Sequence, residues 1–199
     1  MKMDACKQIL NLKFQLCRDV TPPKKAFDSD AGIDFYIPND LKQLSYSTIF
    51  RDSVATYWDG SYGADQLNKS ACEAGYGYLE WNNAFYIHPF GSVLIPSGVK
   101  IAIPDGWGLL FANKSGVCTK KGLIVGAQVI DSAYRGEVHI HLINTRNISV
   151  SIDPGEKIIQ GLVIQIPRIS LEQVDDILTV PANDPRGSGG FGSTDLVDG

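Results

Sequence analysis

Glu137-Val138-His139-Ile140-His141-Leu142-Ile143 alternates residue by residue, with Val138, Ile140 and Leu142 on one side of an extended chain and both histidines on the other. A two-residue period is the signature of a strand with one buried face. Working outward, the other apolar runs are equally short. Phe35-Tyr36-Ile37-Pro38, Ser92-Val93-Leu94-Ile95-Pro96 and Val99-Lys100-Ile101-Ala102-Ile103-Pro104 each stop at proline. Further β-prone runs cover 108–111, 123–125, 148–152 and 157–167, and Pro104-Asp105-Gly106 and Asp153-Pro154-Gly155 supply turns between them. Many short strands with regular turn signals predict an all-β sandwich, jelly roll or barrel. One short helix is expected, capped by Ser115, running through Lys121 and stopped by a left-handed Gly122.

The chain has 199 residues, 44% hydrophobic and 20% charged, enough to bury a core. Its formal net charge of −4 argues against broad binding to nucleic acid or to an anionic membrane. It leaves room for a small anionic ligand held by a few well-placed groups. No apolar run approaches the ~18–20 residues that span a bilayer. Residues 1–17 mix Lys, Asp and Gln with apolar residues, so no secretory signal is expected there. Cys6, Cys17, Cys72 and Cys118 lack paired CxxC spacing, which points to free thiols in a reducing cytoplasm rather than a zinc site.

Two segments stand apart from the domain expected over 1–180. Residues 40–83 are rich in Ser, Gly and aromatics, including Tyr46, Tyr57, Trp58 and Trp81, and hold neither period. They read as an inserted subdomain, either packed on its own barrel or offering an aromatic surface to a protein partner. Residues 181–199 form a glycine-rich tail containing Arg186-Gly187-Ser188-Gly189-Gly190-Phe191-Gly192-Ser193-Thr194, expected to be mobile until a ligand binds.

Several groups carry chemistry. In the tail, Arg186 offers a donor fork for phosphate, glycines let backbone N–H groups approach an anion, and Phe191 can stack on a base. Asp131 follows Val129-Ile130 and precedes Tyr134, where a carboxylate can orient a water or merely start a hairpin turn. Asn113-Lys114-Ser115-Gly116 leads into the expected helix, whose first turn presents N–H groups to an anion. Asp28, Asp30 and Asp34 cluster without the spacing of a calcium loop, so at most one of them is expected to serve a hard cation such as Mg2+. His139 and His141 share a strand face, but no third ligand is in view, and they read as hydrogen-bonded histidines rather than a metal pair.

Taken in order, these segments resemble the five motifs of the homotrimeric dUTP pyrophosphatase (dUTPase) family. Ala31-Gly32-Ile33-Asp34-Phe35-Tyr36 is similar to AGxDL, and Asn113-Lys114-Ser115-Gly116 to PRSG. Gly126-Ala127-Gln128-Val129-Ile130-Asp131 with Tyr134-Arg135-Gly136 is similar to GxxxID-x-x-Y-x-G. Gly155-Glu156-Lys157-Ile158-Ile159-Gln160 resembles GDKIAQ, and the tail resembles RGxGGFGST. The set, in order, is specific to that family.

The resemblance implies a jelly-roll-like β-barrel forming a homotrimer, each active site built from three subunits. It implies hydrolysis of dUTP to dUMP and pyrophosphate, lowering dUTP and supplying dUMP for thymidylate synthesis in the cytoplasm. Asp131 would activate the attacking water, and Tyr134 would lie under the deoxyribose and exclude a 2′-hydroxyl. Main-chain groups of the 126–130 hairpin, including Gln128, Val129 and Ile130, would read uracil. Lys114, Ser115, Gly116 and Gln160 would hold phosphates. Mg2+ would bind mainly triphosphate and waters, with Asp34 touching it only through water. Arg186, Phe191, Gly192, Ser193 and Thr194 would close over the nucleotide.

Three departures stand out. Lys114 replaces the family's usual arginine, keeping charge but losing the bidentate fork. Gln128 stands where glycine is frequent, and Gly161 where a larger apolar residue is usual. Two rivals remain. The related deaminase of dCTP would place a glutamate where this chain has His141, and a non-catalytic nucleotide-binding barrel would signal through 40–83.

Overall fold

The computed structural model describes residues 9–41, 78–79, 85–87 and 89–176. The chain divides into two units, Met1–Pro167 and Arg168–Gly199. In the second, residues 168–176 have no helix or strand.

The first unit is built almost entirely of antiparallel strands: β1 (Lys13–Leu16), β2 (Ile33–Tyr36), β3 (Tyr78–Leu79), β4 (Phe85–Ile87), β5 (Ser92–Ala102) and β6 (Trp107–Asn113). After the helix α1 (Ser115–Lys121) come β7 (Leu123–Val125), β8 (Val129–Ile130), β9 (Glu137–Asn144), β10 (Val150–Ile152) and β11 (Lys157–Gln165). Among the described residues the all-β expectation with one short helix holds. Among the described residues the strands pair into three sheets, ordered β1-β5-β9-β7, β10-β4-β3 and β2-β11-β6-β8, rather than one closed barrel.

Sequence periodicity places the core. Strand β9 alternates throughout, with Val138, Ile140, Leu142 and Asn144 buried and the intervening residues half-buried. Phe35 and Phe111 meet edge to face with ring centroids 5.0 Å apart, a favoured aromatic geometry. Gly161 completes this packing, because a Cβ there would stand 2.8 Å from Leu109 Cδ1 and 2.9 Å from Phe35 Cε2. The absent side chain is the space those two residues fill. Asn144 is fully buried and satisfied. Its Nδ2 donates to the carbonyls of Ile87 (3.0 Å) and Ile148 (2.8 Å), and its Oδ1 accepts from the Arg146 N–H (2.9 Å). One polar side chain thus ties the end of β9 to β4.

Some boundaries differ from the sequence reading. The two runs separated at Pro96 form a single strand, β5, whose pairing with β9 slips between Pro96 and Lys100 around Gly98 at φ +77°. A bulge absorbs a proline that a regular ladder would reject. Strand β1 alternates in sequence, Leu12-Lys13-Phe14-Gln15-Leu16, yet its four residues are all exposed, so the alternation there does not mark a buried face. Strand β3 lies inside the segment expected as an insertion, yet pairs with β4 through Tyr78–Tyr86 and Leu79–Phe85. The rest of 40–83, apart from Asp40 and Leu41, lies outside the described residues, as does the tail from 181.

Candidate active site

One sheet gathers most of the candidate residues. Its order β2-β11-β6-β8 sets Asp34 on β2 opposite Gln160 on β11, and Gln160 opposite Ala112 on β6. Lys114 and Ser115 follow directly where β6 runs into α1. On the other side of β6, Leu109 pairs with Ile130, the neighbour of Asp131.

At the β6–α1 junction a cleft of about 300 Å³ is lined by Lys114, Ser115, Gly116, Lys120 and Gln160, among others. The helix starts differently from expectation. Lys114, extended at φ −88° and ψ 126°, is the N-cap, and no side chain caps the first turn. Ser115 is therefore the first helical residue, with its hydroxyl not spent on capping. The C-terminal expectation is met, since Gly122 is left-handed at φ 67° and its N–H returns to the Cys118 carbonyl. Gln160 Nε2 donates to the Asn113 carbonyl at 2.8 Å. Gly32 makes room for that side chain, because a Cβ at Gly32 would collide with Gln160 Oε1.

Asp34, opposite Gln160 in the sheet, is a buried charge at 5% exposure. Lys114 Nζ lies 2.5 Å from its Oδ1 and Lys157 Nζ 2.9 Å from its Oδ2. Burial alone would raise the carboxyl's pKa, but the hydrogen bonds and charges of the two lysines outweigh it and hold it below the usual value. The same contact raises the pKa of Lys157. Asp28 and Asp30 belong to a polar turn instead, where Asp30 Oδ2 accepts the Phe27 N–H at 2.9 Å. Among the described residues no three His, Cys, Asp or Glu side chains converge to hold a metal.

A second cleft, of about 210 Å³, opens on the 126–130 segment, which links β7 in one sheet to β8 in another rather than forming a hairpin, and is lined by Gln128, Val129, Ile130, Asp131, Tyr134 and Phe111, among others. Asp131 is exposed and does begin a turn, its carbonyl accepting the Tyr134 N–H at 3.1 Å. The Tyr134 hydroxyl donates to the Glu137 carbonyl at 2.8 Å, which fixes the ring. Gln128 gives its carbonyl to the Phe111 N–H at 2.8 Å and turns its amide back toward the Val125 carbonyl at 3.5 Å. Both strand histidines are hydrogen-bonded. His139 Nδ1 lies 2.9 Å from the Glu137 carbonyl, and His141 Nδ1 accepts the Ala127 N–H at 3.0 Å.

The two clefts share no lining residue. Four residue steps along β6 lead from Leu109, which pairs with Ile130, to Asn113, the residue before Lys114 of the first cleft, about 13 Å at strand rise. The sequence thus brings Asp34, Lys114, Ser115 and Gln160 together, and Asp131 with Tyr134, but the structure keeps these sets apart within one chain. Arg186, Phe191, Gly192, Ser193 and Thr194 lie outside the described residues. Sequence reading missed Lys157 as Asp34's second partner and His141 as a support of the 126–130 segment. The first signal was available, since Lys157 stands three residues before Gln160 inside one motif.

Fold and clefts together define an all-β protein with a cationic recess suited to phosphate groups and a separate recess pairing a carboxylate with an aromatic ring. The dUTPase family model matches residues 62–195. A deoxyuridine 5'-triphosphate nucleotidohydrolase of Dictyoglomus turgidum is 39% identical over 118 residues, covering 56% of this chain and 78% of that protein. The tomato (Solanum lycopersicum) protein of the same name is 40% identical over 104 residues, and the chain spans 59% of its length. A solved Staphylococcus bacteriophage 80alpha dUTPase with dUPNHPP superposes with TM-score 0.62 at 20% identity, covering 92% of this chain and 97% of that one. A mutant dUTPase from phage phi11 of S. aureus, described with a structural Mg(II) ion, gives TM-score 0.57 at 17% identity, over 84% of this chain and 99% of that one. The chain belongs to the dUTPase family, a family of enzymes.

Proposed function

We propose that the chain hydrolyses dUTP to dUMP and pyrophosphate, and that Asp131 deprotonates the water that attacks the α-phosphorus. The new oxygen–phosphorus bond forms as the bridge from the α- to the β-phosphate breaks, and pyrophosphate leaves. The observation that carries this reading is the pairing of Asp131 with a ring-fixed Tyr134 beside the 126–130 segment. Main-chain groups of that segment read the uracil, and Tyr134 under the sugar leaves no space for a 2′-hydroxyl.

Lys114, Ser115 and Gln160 hold phosphate oxygens, with Gly116 allowing close approach. Because these residues and Asp131 line separate clefts, a working site takes them from different subunits, and a homotrimer with shared sites satisfies that need. The tail, through Arg186, Phe191, Gly192, Ser193 and Thr194, closes over the bound nucleotide. The reaction belongs to the cytoplasm, where its substrate is handled. A protein partner at 40–83 is compatible with catalysis.

Mg2+ fits this chain in an outer role only. A carboxylate has about four acceptor positions, so Asp34 keeps capacity for metal-bound waters after receiving two ammonium donors. The ion, bound mainly to the triphosphate, supplies charge neutralisation for the leaving pyrophosphate.

Steady-state hydrolysis of each deoxynucleoside triphosphate and of UTP, with and without Mg2+, tests the reading. Pyrophosphate release from dUTP alone is expected. Ammonia released from dCTP would favour the deaminase rival, and binding of dUTP without turnover would favour the non-catalytic one.

A further inference from the structure

The 126–130 segment assigned above to uracil, which links β7 in one sheet to β8 in another, is held on two sides. On its far side it is bound by backbone, where β8 pairs with β6 and the Gln128 carbonyl accepts the Phe111 N–H. On its near side it depends on one residue of β9. The Gly126 N–H donates to the His141 carbonyl at 3.0 Å, and the Ala127 N–H donates to His141 Nδ1, also at 3.0 Å. Any residue at 141 supplies the first bond. Only a side chain with an acceptor at that point supplies the second. Gly126 is part of the same fit, because a Cβ there would collide with the imidazole.

The bond also defines the ring. An Nδ1 that accepts from a backbone N–H carries its lone pair there, so the imidazole is neutral with its proton on Nε2. Burial favours that state by lowering the pKa of the group. The β9 alternation that points Ile140 and Leu142 inward leaves His141 on the opposite face, against Gly126 and Ala127.

We propose that His141 is a positioning residue for base recognition: its Nδ1 sets the plane of the peptide joining Gly126 to Ala127, and through it the main-chain groups that meet the uracil edge. This rests on the reading of the segment given under the proposed function. Base selection by hydrogen bonds fails when a donor or acceptor is misaimed, because the unmatched polar group is left without its water or its partner. Asp131 is insulated from the change, since its neighbour Ile130 is fixed by Leu109 on β6. Loss of the His141 acceptor therefore weakens nucleotide binding and base selectivity and spares the chemical step.

The test compares His141→Leu, which removes the acceptor, with His141→Asn, whose Oδ1 stands close to where Nδ1 stood. The Leu variant is expected to raise KM for dUTP about tenfold with kcat within about threefold, and to narrow the preference for dUTP over dCTP. The Asn variant is expected to restore KM to within about threefold of wild type. Hydrogen exchange at the Ala127 amide should be faster in Leu than in wild type or Asn. His141→Val, a good strand former without an acceptor, serves if the Leu variant does not fold. An unchanged KM in the acceptor-free variant, or an Asn variant that behaves like Leu, overturns the role of His141 while dUTP hydrolysis by wild type stands. A wild-type chain that leaves dUTP intact overturns the reading of the segment and this proposal with it.

Discussion

Asp131 opens a turn and is exposed at the edge of its cleft, so its carboxylate is free to meet a water without a structural duty for its side chain. Asp131→Asn keeps the shape and removes the base. Turnover should fall about 10²–10⁴-fold, while the dissociation constant for dUTP changes little. Near-normal rates would mean another group activates the water. Asp34 is the opposite case, a buried carboxylate committed to Lys114 and Lys157. Its pKa is held below the ordinary 3.8, so its contribution to stability is fully present above about that pH and is lost as pH falls through the lower folded value. Asp34→Asn should cost about 1–3 kcal/mol at neutral pH. The acid limb of its stability curve, followed by denaturant melts between neutrality and pH 2, should be shallower than that of wild type. An identical limb would show that Asp34 contributes no proton linkage. Both aspartates stood out in the sequence through their neighbours. The two lysine partners did not follow from Asp34's own segment, because strand register, rather than spacing along the chain, sets Lys157 beside it.

At the level of elements, a period of two was enough to read β9, whose alternation maps directly onto its buried and half-buried faces. The period is also present at β1, but its residues are exposed along its length, and β3 and β4 are too short to show one. Proline misled in β5, because a bulge lets the strand continue past Pro96. The helix was readable from Gly122 at its end but misread at its start. Ser115 has a capping side chain, yet the extended backbone belongs to Lys114, so the serine is the first helical residue and lines the cleft. The tail makes a separate prediction. In the proposed reading its glycines and Arg186 serve a bound nucleotide, so a chain ending before Arg186 should melt as wild type does. Its hydrolysis of dUTP should be slower by about tenfold or more, the loss expected when a positioning segment no longer orders the triphosphate. Full activity in the truncated chain would make the tail dispensable.

For the whole molecule, the decisive feature is that one chain carries two separate clefts that the proposed reaction needs together. Lys114, Ser115 and Gln160 line one cleft, Asp131 and Tyr134 another, and β6 runs between them. The motifs supplied the residues of both and their family resemblance implied sites shared between subunits, while the sheet order shows that the two sets do not meet within one chain. If catalysis needs both sets, the site forms between subunits, and two defective chains should repair one another. Ser115→Ala and Asp131→Asn each remove one half. Alone, each variant should be poorly active at any concentration. Unfolded together in equal amounts and refolded, they form mixed trimers in which each site draws its two halves from neighbouring chains. About a quarter of the sites then regain both groups. Activity of the mixture should rise toward that fraction of wild type, and the same variants mixed after folding should stay inactive until subunits exchange. Absence of any recovery, with a trimer mass measured by light scattering, would place both halves in one chain and require the clefts to be joined by a rearrangement of β6 and its neighbours.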